Sequence, residues 1–308
     1  MHIVVTGGAG FIGSNIADAY VALGHQVTIV DDLSSGSTSN VNPNANFIEA
    51  DLRDPATVEK IRTLRPDVLC HHAAQIDVRV SVADPAMDAE LNIVAALRLY
   101  QAALEIGVKK IIFASSGGAI YGEPLFAPQT EEHPQHPMSP YGAAKLANDV
   151  YLHYYRVVHG LKSASLRYGN VYGPRQRKDG EAGVVAIFGG AILDGKTPHI
   201  NGDGLQTRDY VFVGDVVRAN VAALSDDIDG IYNVGTGVET SVIELFAAIN
   251  TALGTSVKAD HAPAKKGEQL RSVLDGSKLR RAAALPEPLT LAEGLAQTVD
   301  WLREKYGR

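Results

Sequence analysis

Short apolar runs and longer amphipathic stretches alternate along the first half of the chain. Five runs bounded by glycine, proline or polar residues predict buried β-strands, over 3–5, 27–30, 46–50, 68–74 and 110–114. Before the last of these, apolar residues recur at helical spacing and predict a long helix over 84–106, at Met87, Leu91, Val94, Leu97 and Leu104. Strands separated by such helical segments form a parallel, doubly wound sheet.

The second half of the chain has a different pattern. Beyond residue 173, turn residues become more frequent, and short strands alternate with helical segments over 184–193, 241–253 and 290–304. We therefore predict an α/β fold, with a Rossmann-like doubly wound parallel sheet over 1–172 and a smaller C-terminal α/β substrate lobe over 173–308. Some later segments are expected to return to the sheet. A length of 308 residues suits either one large domain or two unequal lobes.

The first predicted strand runs directly into Gly7, Gly10 and Gly13, and helical periodicity follows. In such a strand-turn-helix, backbone amides approach a diphosphate without a Cβ in the way, and the helix N-terminus faces the phosphates. The second strand ends on Asp31, 18 residues beyond Gly13, near the usual position of the acid that binds the ribose 2′-hydroxyl. No arginine or lysine follows before Arg53, so we predict NAD rather than NADP. The alternative is a purely structural glycine turn.

Composition narrows the class of protein. The formal net charge of −7 is spread along the chain with no basic block, which argues against a nucleic acid or an anionic membrane as partner. The single cysteine, Cys70, excludes an internal disulfide framework and suits a reducing compartment. With neither a long apolar stretch nor a signal-peptide pattern, we expect a soluble, cytoplasmic protein. His71 and His72 lack partners at ligand spacing, so we expect no metal site.

A later group of residues predicts acid–base chemistry. Ser139 followed by proline is a typical helix start, and it places Tyr141 and Lys145, four residues apart, on one helix face. A neighbouring ammonium group, the helix N-terminus and a nicotinamide cation would favour the phenolate and lower the pKa of the tyrosine. Alone, such a pair is more typical of a solvated helix face. The dinucleotide turn and the serines that end the fifth strand favour the catalytic interpretation.

Several positions keep two interpretations. Asp51 and Leu52 follow the third strand, where they either lie over an adenine edge or precede the next helix. Asn92, in the middle of the apolar helix, is either a surface amide or a group that holds the catalytic turn. Ser115 and Ser116 both end the fifth strand, and we prefer Ser116 as the group that aligns a substrate hydroxyl.

Several motifs together resemble one known family. They are the glycine motif after Thr6, His72-Ala73-Ala74, Ser115-Ser116, the Tyr141–Lys145 motif, and the segments 167–174, 201–211, 215–216 and 232–235. The chain is similar over nearly its whole length to the extended short-chain dehydrogenase/reductases that act on nucleotide sugars. Within that family it most resembles the members that epimerise a UDP-hexose at C4.

The resemblance implies roles for individual residues. Catalysis would fall to Ser116, Tyr141 and Lys145. NAD would contact Gly7, Gly10, Phe11, Ile12, Gly13, Asp31, Asp32, Leu33, Ser35, Gly36, Asp51, Leu52, His72, Ala73, Ala74, Gln75, Asn92, Ser115, Tyr141, Lys145 and Tyr168. The UDP-sugar would contact Ser116, Tyr141, Asn170, Val185, Arg208 and Arg271. Two arginines from distant segments would clamp the diphosphate by bidentate hydrogen bonds.

The residues after Ser116 bear on the type of reaction. Related dehydratases and decarboxylases carry acidic residues there, whereas this chain has Gly117 and Gly118, a pair that resembles a one-residue insertion. Without a second acid, neither elimination nor decarboxylation of a 4-keto sugar is assisted, and the sugar is reduced again. We therefore expect redox-neutral 4-epimerisation of UDP-glucose and UDP-galactose. The alternatives are another UDP-sugar (UDP-glucuronate, UDP-xylose or a UDP-N-acetylhexosamine), a dehydratase or reductase, and a non-catalytic NAD-binding protein. The resemblance also implies a homodimer formed through the helices 84–106 and 139–159.

Overall fold

The computed structural model describes residues 1–178, 183–264 and 269–306. The strands are β1 (His2–Thr6), β2 (Gln26–Asp31), β3 (Asn46–Glu49), β4 (Val68–His71), β5 (Lys110–Ser116), β6 (Lys162–Tyr168), β7 (Asn170–Tyr172), β8 (His199–Asn201), β9 (Thr207–Arg208), β10 (Tyr210–Phe212), β11 (Gly230–Val234), β12 (Thr240–Ser241) and β13 (Asp260–Ala262). The α-helices are α1 (Phe11–Ala22), α2 (Pro55–Leu64), α3 (Val78–Ala83), α4 (Pro85–Ala89), α5 (Ala95–Ile106), α6 (Gly117–Ile120), α7 (Pro140–His159), α8 (Val184–Leu193), α9 (Val213–Ala222), α10 (Val242–Leu253), α11 (Ser277–Ala283) and α12 (Leu291–Tyr306).

Seven parallel strands form the central sheet, in the order β11-β6-β5-β4-β1-β2-β3. The chain starts in the middle at β1, builds outward to β3, and then crosses to β4 on the other side of β1. Thr6 consequently pairs with both Val30 and His71. The carboxyl ends of β1 and β4 therefore border the crevice at the point where the strand order reverses, which is where doubly wound sheets bind ligands. The predicted fold class is confirmed.

Helices cover both faces of this sheet. One face carries a buried cluster in which α1 and α9 pack together, with Ile16 and Val216 at its centre. The other face carries a second cluster beneath α2, α5 and α7, with Leu99 and Leu152 fully buried. Strands with both faces covered lose contact with water, and this explains why their sequences read as continuous apolar runs.

The five sequence-predicted strands are present, although the fourth is shorter than predicted. It ends at His71, and the next N–H, that of His72, still donates to Thr6 O on β1 at 3.0 Å. The helix predicted over 84–106 consists of α4, a π-helical turn at Glu90–Val94, and α5. Its predicted apolar stripe is only half-buried, and the side with Leu99 and Tyr100 packs in the core instead.

The C-terminal segments form a second cluster around α8, α10 and α12. Short strand pairs connect its segments: β7 pairs with β10, β8 with β13, and β9 with β12. Asp209 is fully buried, and its carboxylate accepts the backbone N–H of Thr236, Gly237 and Leu274, so it joins two distant segments of the chain. A later segment belongs to the main sheet, since β11 forms its edge beside β6. Among the described helices, none is both long and apolar enough to cross a bilayer.

Candidate active site

The glycine turn after β1 is too tight for side chains. A Cβ on Gly13 would lie 2.3 Å from Gly7 O, and a Cβ on Gly7 would lie 2.6 Å from Ala73 N. Gly7 also has a φ of +70°, in the left-handed region that favours glycine. The turn thus presents bare backbone at the N-terminus of α1, and this is a cradle that fits a dinucleotide diphosphate.

Asp31 lies beside that turn, at the end of β2. Its carboxylate accepts Ala9 N–H at 3.0 Å and Leu33 N–H at 2.8 Å. A Cβ on Gly36 would lie 2.8 Å from Asp31 Oδ1, so the backbone folds closely around the acid. Burial raises the pKa of Asp31, although the two backbone donors oppose that shift. The acid and the glycine turn therefore form one unit, as the ribose-binding prediction requires.

The segment after β4 is fixed from two sides. His72 Nε2 lies 3.0 Å from the Tyr168 hydroxyl, and the two rings stack with centroids 6.1 Å apart. Asn92 is buried, accepts Gln75 N–H and donates to Gln75 O, both at 2.9 Å. Asn92 is thus not a surface amide. The turn that Asn92 holds is the one after β4, at Gln75, rather than the catalytic turn after β5.

The predicted catalytic residues lie together. Ser139 Oγ accepts Gly142 N–H at 3.1 Å and caps α7, so Tyr141 and Lys145 occupy its first turns as predicted. The Ser116 hydroxyl lies close enough to the Tyr141 hydroxyl to lower the pKa of the tyrosine. Lys145 Nζ lies 5.7 Å from the centre of the Tyr141 ring and donates to Ala114 O at 2.8 Å. The end of β5 therefore holds both the serine and the lysine against the tyrosine.

Ser115 points away from this group. It is buried, and its hydroxyl has no hydrogen-bond partner among the described residues. Successive side chains of a strand point to opposite faces, so Ser115 and Ser116 cannot both reach Tyr141. The geometry accordingly favours Ser116, the residue that the sequence analysis preferred, as the one beside the tyrosine.

Burial governs the charges of the group. It raises the pKa of Tyr141 to about 12, with the Ser116 hydroxyl lowering it and the Asp88 carboxylate adding to the rise. Burial also lowers the pKa of Lys145 to about 8, against the nearby Asp149 and Asp88 charges. The protein groups alone thus shift the tyrosine pKa upward. The sequence-based expectation of a lowered pKa includes a nicotinamide cation, whose positive charge beside the tyrosine would favour the phenolate.

A buried polar network supports α7 from behind. Arg167 Nε donates to Asp149 Oδ2 at 2.8 Å, and both side chains are 1% exposed. Arg167 Nη1 also donates to the Tyr121 hydroxyl, which in turn donates to Asn233 Oδ1, each at 2.8 Å. Asp149 lies one turn after Lys145, so this network fixes the catalytic helix against β6 and β11. The sequence analysis missed it, since no local pattern links these residues.

The remaining predicted cofactor residues line the same edge of the sheet. Phe11 and Ile12 begin α1, Asp32 accepts Ser34 N–H, and Ser35 O accepts a hydrogen bond from Arg177. Asp51 lies just beyond β3 but pairs with Arg53 at 2.6 Å, while Leu52 is part of the buried core. Ala73 and Ala74 are half-buried beside the glycine turn. Of the two interpretations of Asp51 and Leu52, neither is decided by these contacts.

The predicted substrate residues come from separate C-terminal elements. Asn170 begins β7, and its Oδ1 would lie 3.6 Å from a Cβ on Gly118, which is ordinary contact distance, so Asn170 is a neighbour of the residues that follow Ser116. Val185 is buried on α8. Arg208 lies in β9, and its Nη1 donates to Thr207 O at 2.8 Å. Val185 and Arg208 thus lie in the lobe that follows residue 173, and Asn170 just before it.

Arg271 has a partner that the sequence analysis missed. Its Nε donates to Glu239 Oε2 at 3.0 Å and its Nη2 donates to Glu239 Oε1. Thr207 Oγ1 donates to the same carboxylate at 2.6 Å. Nearby, Glu123 accepts the backbone N–H groups of Leu270 and Arg271, and so ties this segment to the turn after the catalytic strand. No sequence signal identified either glutamate, because both act through contacts distant in the chain.

Comparison with known proteins agrees with this geometry. The profile of the family described as "NAD dependent epimerase/dehydratase family" matches residues 3–235. The chain therefore belongs to that family of extended short-chain dehydrogenase/reductases, and the sequence-based resemblance is confirmed.

Particular relatives are similar over the full length. A UDP-glucose 4-epimerase from Mycolicibacterium smegmatis is 46% identical over 311 residues, covering 99% of each chain. A UDP-glucose 4-epimerase of Thermotoga maritima, solved with UDP-glucose, superposes with a TM-score of 0.96 at 45% identity, covering 99% of this chain and 100% of that one. The Thermus thermophilus UDP-glucose 4-epimerase in complex with NAD gives a TM-score of 0.93 at 45% identity, with 98% and 99% coverage.

Proposed function

We propose that the chain is an NAD-dependent isomerase that interconverts UDP-glucose and UDP-galactose at C4 of the hexose. The observation that carries this proposal is the approach of Lys145 to Tyr141 at the end of β5, on the edge of the sheet where the glycine turn and Asp31 also lie. The full-length similarity to UDP-glucose 4-epimerases supports the choice of sugar nucleotide. Glycines at 117 and 118 supply no extra acid for elimination or decarboxylation.

The cradle between the glycine turn and Asp31 fits NAD, since bare backbone faces the diphosphate position and a carboxylate faces the ribose position. Bound NAD+ supplies the hydride acceptor, the hydride donor for its return, and a positive charge beside the tyrosine. We assign Gly7, Gly10 and Gly13 to the diphosphate. His72 is held neutral, because burial lowers its pKa to about 3, so it adds no charge to the site.

Tyr141 is assigned as the group that takes the proton from the C4 hydroxyl and later gives it back. Ser116, whose hydroxyl influences the pKa of the tyrosine, is assigned to align that substrate hydroxyl. Lys145, a cation below its pKa of about 8, stabilises the phenolate and bonds the nicotinamide ribose. The 4-keto sugar must then present its other face, and it does so by rotating about its diphosphate. A site that forms epimers must therefore bind the diphosphate tightly and the sugar more weakly, so that the sugar can rotate.

Asn170 and three residues beyond 173 are assigned to the UDP part of the substrate. Arg208 and Arg271 stand on different segments and have planar forks that match phosphate oxygens. Asn170 faces the space beside Gly118 and contributes an amide to the same region. Val185 lies in the buried wall of α8, which suits a flat uracil ring.

We further propose a cytoplasmic homodimer formed through α7. Its outer face carries an apolar stripe at helical spacing in which each side chain is between 41% and 66% exposed, namely Val150, Tyr151, Tyr154, Val157 and Val158. An exposed stripe of this kind marks an interaction surface. Sedimentation should give twice the chain mass, and Val157→Glu should yield monomers. A monomeric wild-type protein would contradict the proposal.

The activity is tested by incubating the purified protein, without added NAD, with UDP-glucose, UDP-galactose, UDP-N-acetylglucosamine and UDP-glucuronate. NMR should show conversion of the glucose–galactose pair. Tyr141→Phe should retain NAD but lose turnover by a factor of about 10²–10⁴, the usual contribution of a positioned acid–base group. Tyr155→Phe, the same change further along α7, should leave the rate unchanged. Turnover by Tyr141→Phe at the original rate would show that the assigned base is wrong.

A further inference from the structure

We propose that Glu239 is a positioning residue for the diphosphate, acting through Arg271. Its carboxylate holds one edge of the guanidinium group so that the other edge faces the phosphate oxygens of the UDP-sugar. This inference rests on the proposed function, because it presupposes a UDP-sugar in the site.

The geometry of the pair shows which edge is used. Glu239 binds Nε and Nη2 of Arg271, the side edge of the fork, with Nε 3.0 Å from Oε2. A guanidinium group has a second, end-on edge formed by Nη1 and the outer hydrogen of Nη2, and this edge can bind another anion in parallel. A bidentate pair also fixes the plane of the fork, which a single hydrogen bond does not.

Glu239 is itself held in place. Thr207 Oγ1 donates to Oε2 at 2.6 Å, so this oxygen accepts from both the threonine and the arginine. The residue after Glu239, Thr240, pairs with Arg208 across β9 and β12. One carboxylate therefore links the strand of Arg208 to the segment of Arg271. These are the two arginines assigned to the diphosphate.

Two possible roles of the Glu239 carboxylate predict opposite changes in UDP affinity when its charge is removed. Arg271 is 53% exposed, so an ion pair at this position contributes little to folding stability. On long-range electrostatics alone, a carboxylate near a diphosphate weakens binding, and its removal should strengthen it. Positioning predicts the reverse. A long arginine side chain loses much conformational freedom on binding, and a pre-formed pair reduces that loss.

The experiment measures UDP binding to the purified holoenzyme by titration calorimetry. Glu239→Gln should weaken UDP binding about tenfold, the scale of one charge-assisted hydrogen bond. It should raise KM for UDP-glucose with little change in kcat, since the diphosphate is held equally in ground and transition states. Glu287→Gln, which removes a surface partner of Arg280 at 3.4 Å, is the matched control and should leave both unchanged.

A double-mutant cycle separates positioning from other roles. In an Arg271→Gln background, Glu239→Gln should produce no further loss of UDP affinity. Thr207→Val, which removes only the support of the carboxylate, should weaken binding about twofold to threefold and provides a second variant if Glu239→Gln fails to fold. Unchanged or tighter binding by Glu239→Gln, or a further tenfold loss in the Arg271→Gln background, would overturn the inference alone. Failure of the wild type to bind UDP would overturn the proposed function, and the inference with it.

Discussion

Replacing Gly13 by alanine should weaken NAD binding while the protein remains folded. The added methyl group would lie 2.3 Å from Gly7 O and 2.9 Å from Gly7 C, whereas ordinary contacts begin at 3.4 Å. The obstacle is backbone, so it cannot rotate away. The glycine turn must then move by about 1 Å, and displacements of this size in a binding site lower function about 100-fold. This corresponds to about 2.7 kcal/mol of binding free energy.

Gly10→Ala is the matched comparison. Its methyl group would approach the same Gly7 oxygen, but at 3.2 Å, so a shift of a few tenths of an ångström relieves the contact. We expect only a few-fold loss of NAD affinity. The assay is calorimetric titration of cofactor-stripped protein with NAD, together with urea unfolding of the same samples. Gly13 lies inside α1, where alanine has the higher helix propensity, so a gain of up to about 1 kcal/mol offsets part of any loss of stability.

The test compares the NAD affinities of the two variants. Gly13→Ala should bind NAD much more weakly than Gly10→Ala, while both remain folded. Equal affinities, or wild-type affinity in Gly13→Ala, would refute the reasoning that bare backbone at this turn is required for the diphosphate.

Two further predictions concern stability. Arg167→Met leaves the Asp149 carboxylate buried without its cation and should destabilise the fold by about 3–5 kcal/mol in urea unfolding; a loss below about 1 kcal/mol would contradict this. Burial lowers the pKa of His71 to about 3, below its unfolded value of about 6.5, so its contribution is present above pH 6.5 and is lost as the pH falls toward 3. Between pH 7 and pH 5, protonation of His71 in the unfolded chain should lower the free energy of unfolding by about 2 kcal/mol. The variant His71→Gln should lack this part of the pH dependence. Identical pH dependence of unfolding in the two proteins would be evidence against the prediction.

The parts of the site that were predictable share a physical origin. Parallel strands end at one edge of the sheet, so Gly7, Asp31 and Ser116, at the carboxyl ends of β1, β2 and β5, lie along the same edge. Helical spacing of four residues likewise brings Tyr141 and Lys145 onto one face. Periodicity and strand direction are local properties of the sequence, and they transfer directly to the structure.

Other features depend on contacts between distant segments. Glu239 meets Arg271 across 32 residues, and Arg167 meets Asp149 across 18, with no local pattern to indicate either pair. The apolar stripe predicted the helix correctly, but its members Leu97 and Leu104 are only partly buried against the core, whereas Leu99 and Tyr100 are fully buried.

The protonation of Tyr141 shows most clearly which properties follow from the local sequence and which depend on the tertiary structure. The sequence by itself determined the fold class, the dinucleotide cradle and the pairing of the tyrosine with a lysine, because these follow from spacing along strands and helices. Only the tertiary structure decided the depth at which the pair is buried, and burial raises the tyrosine pKa to about 12. Desolvation depends on every segment that excludes water from the site, and that information is spread over the whole chain.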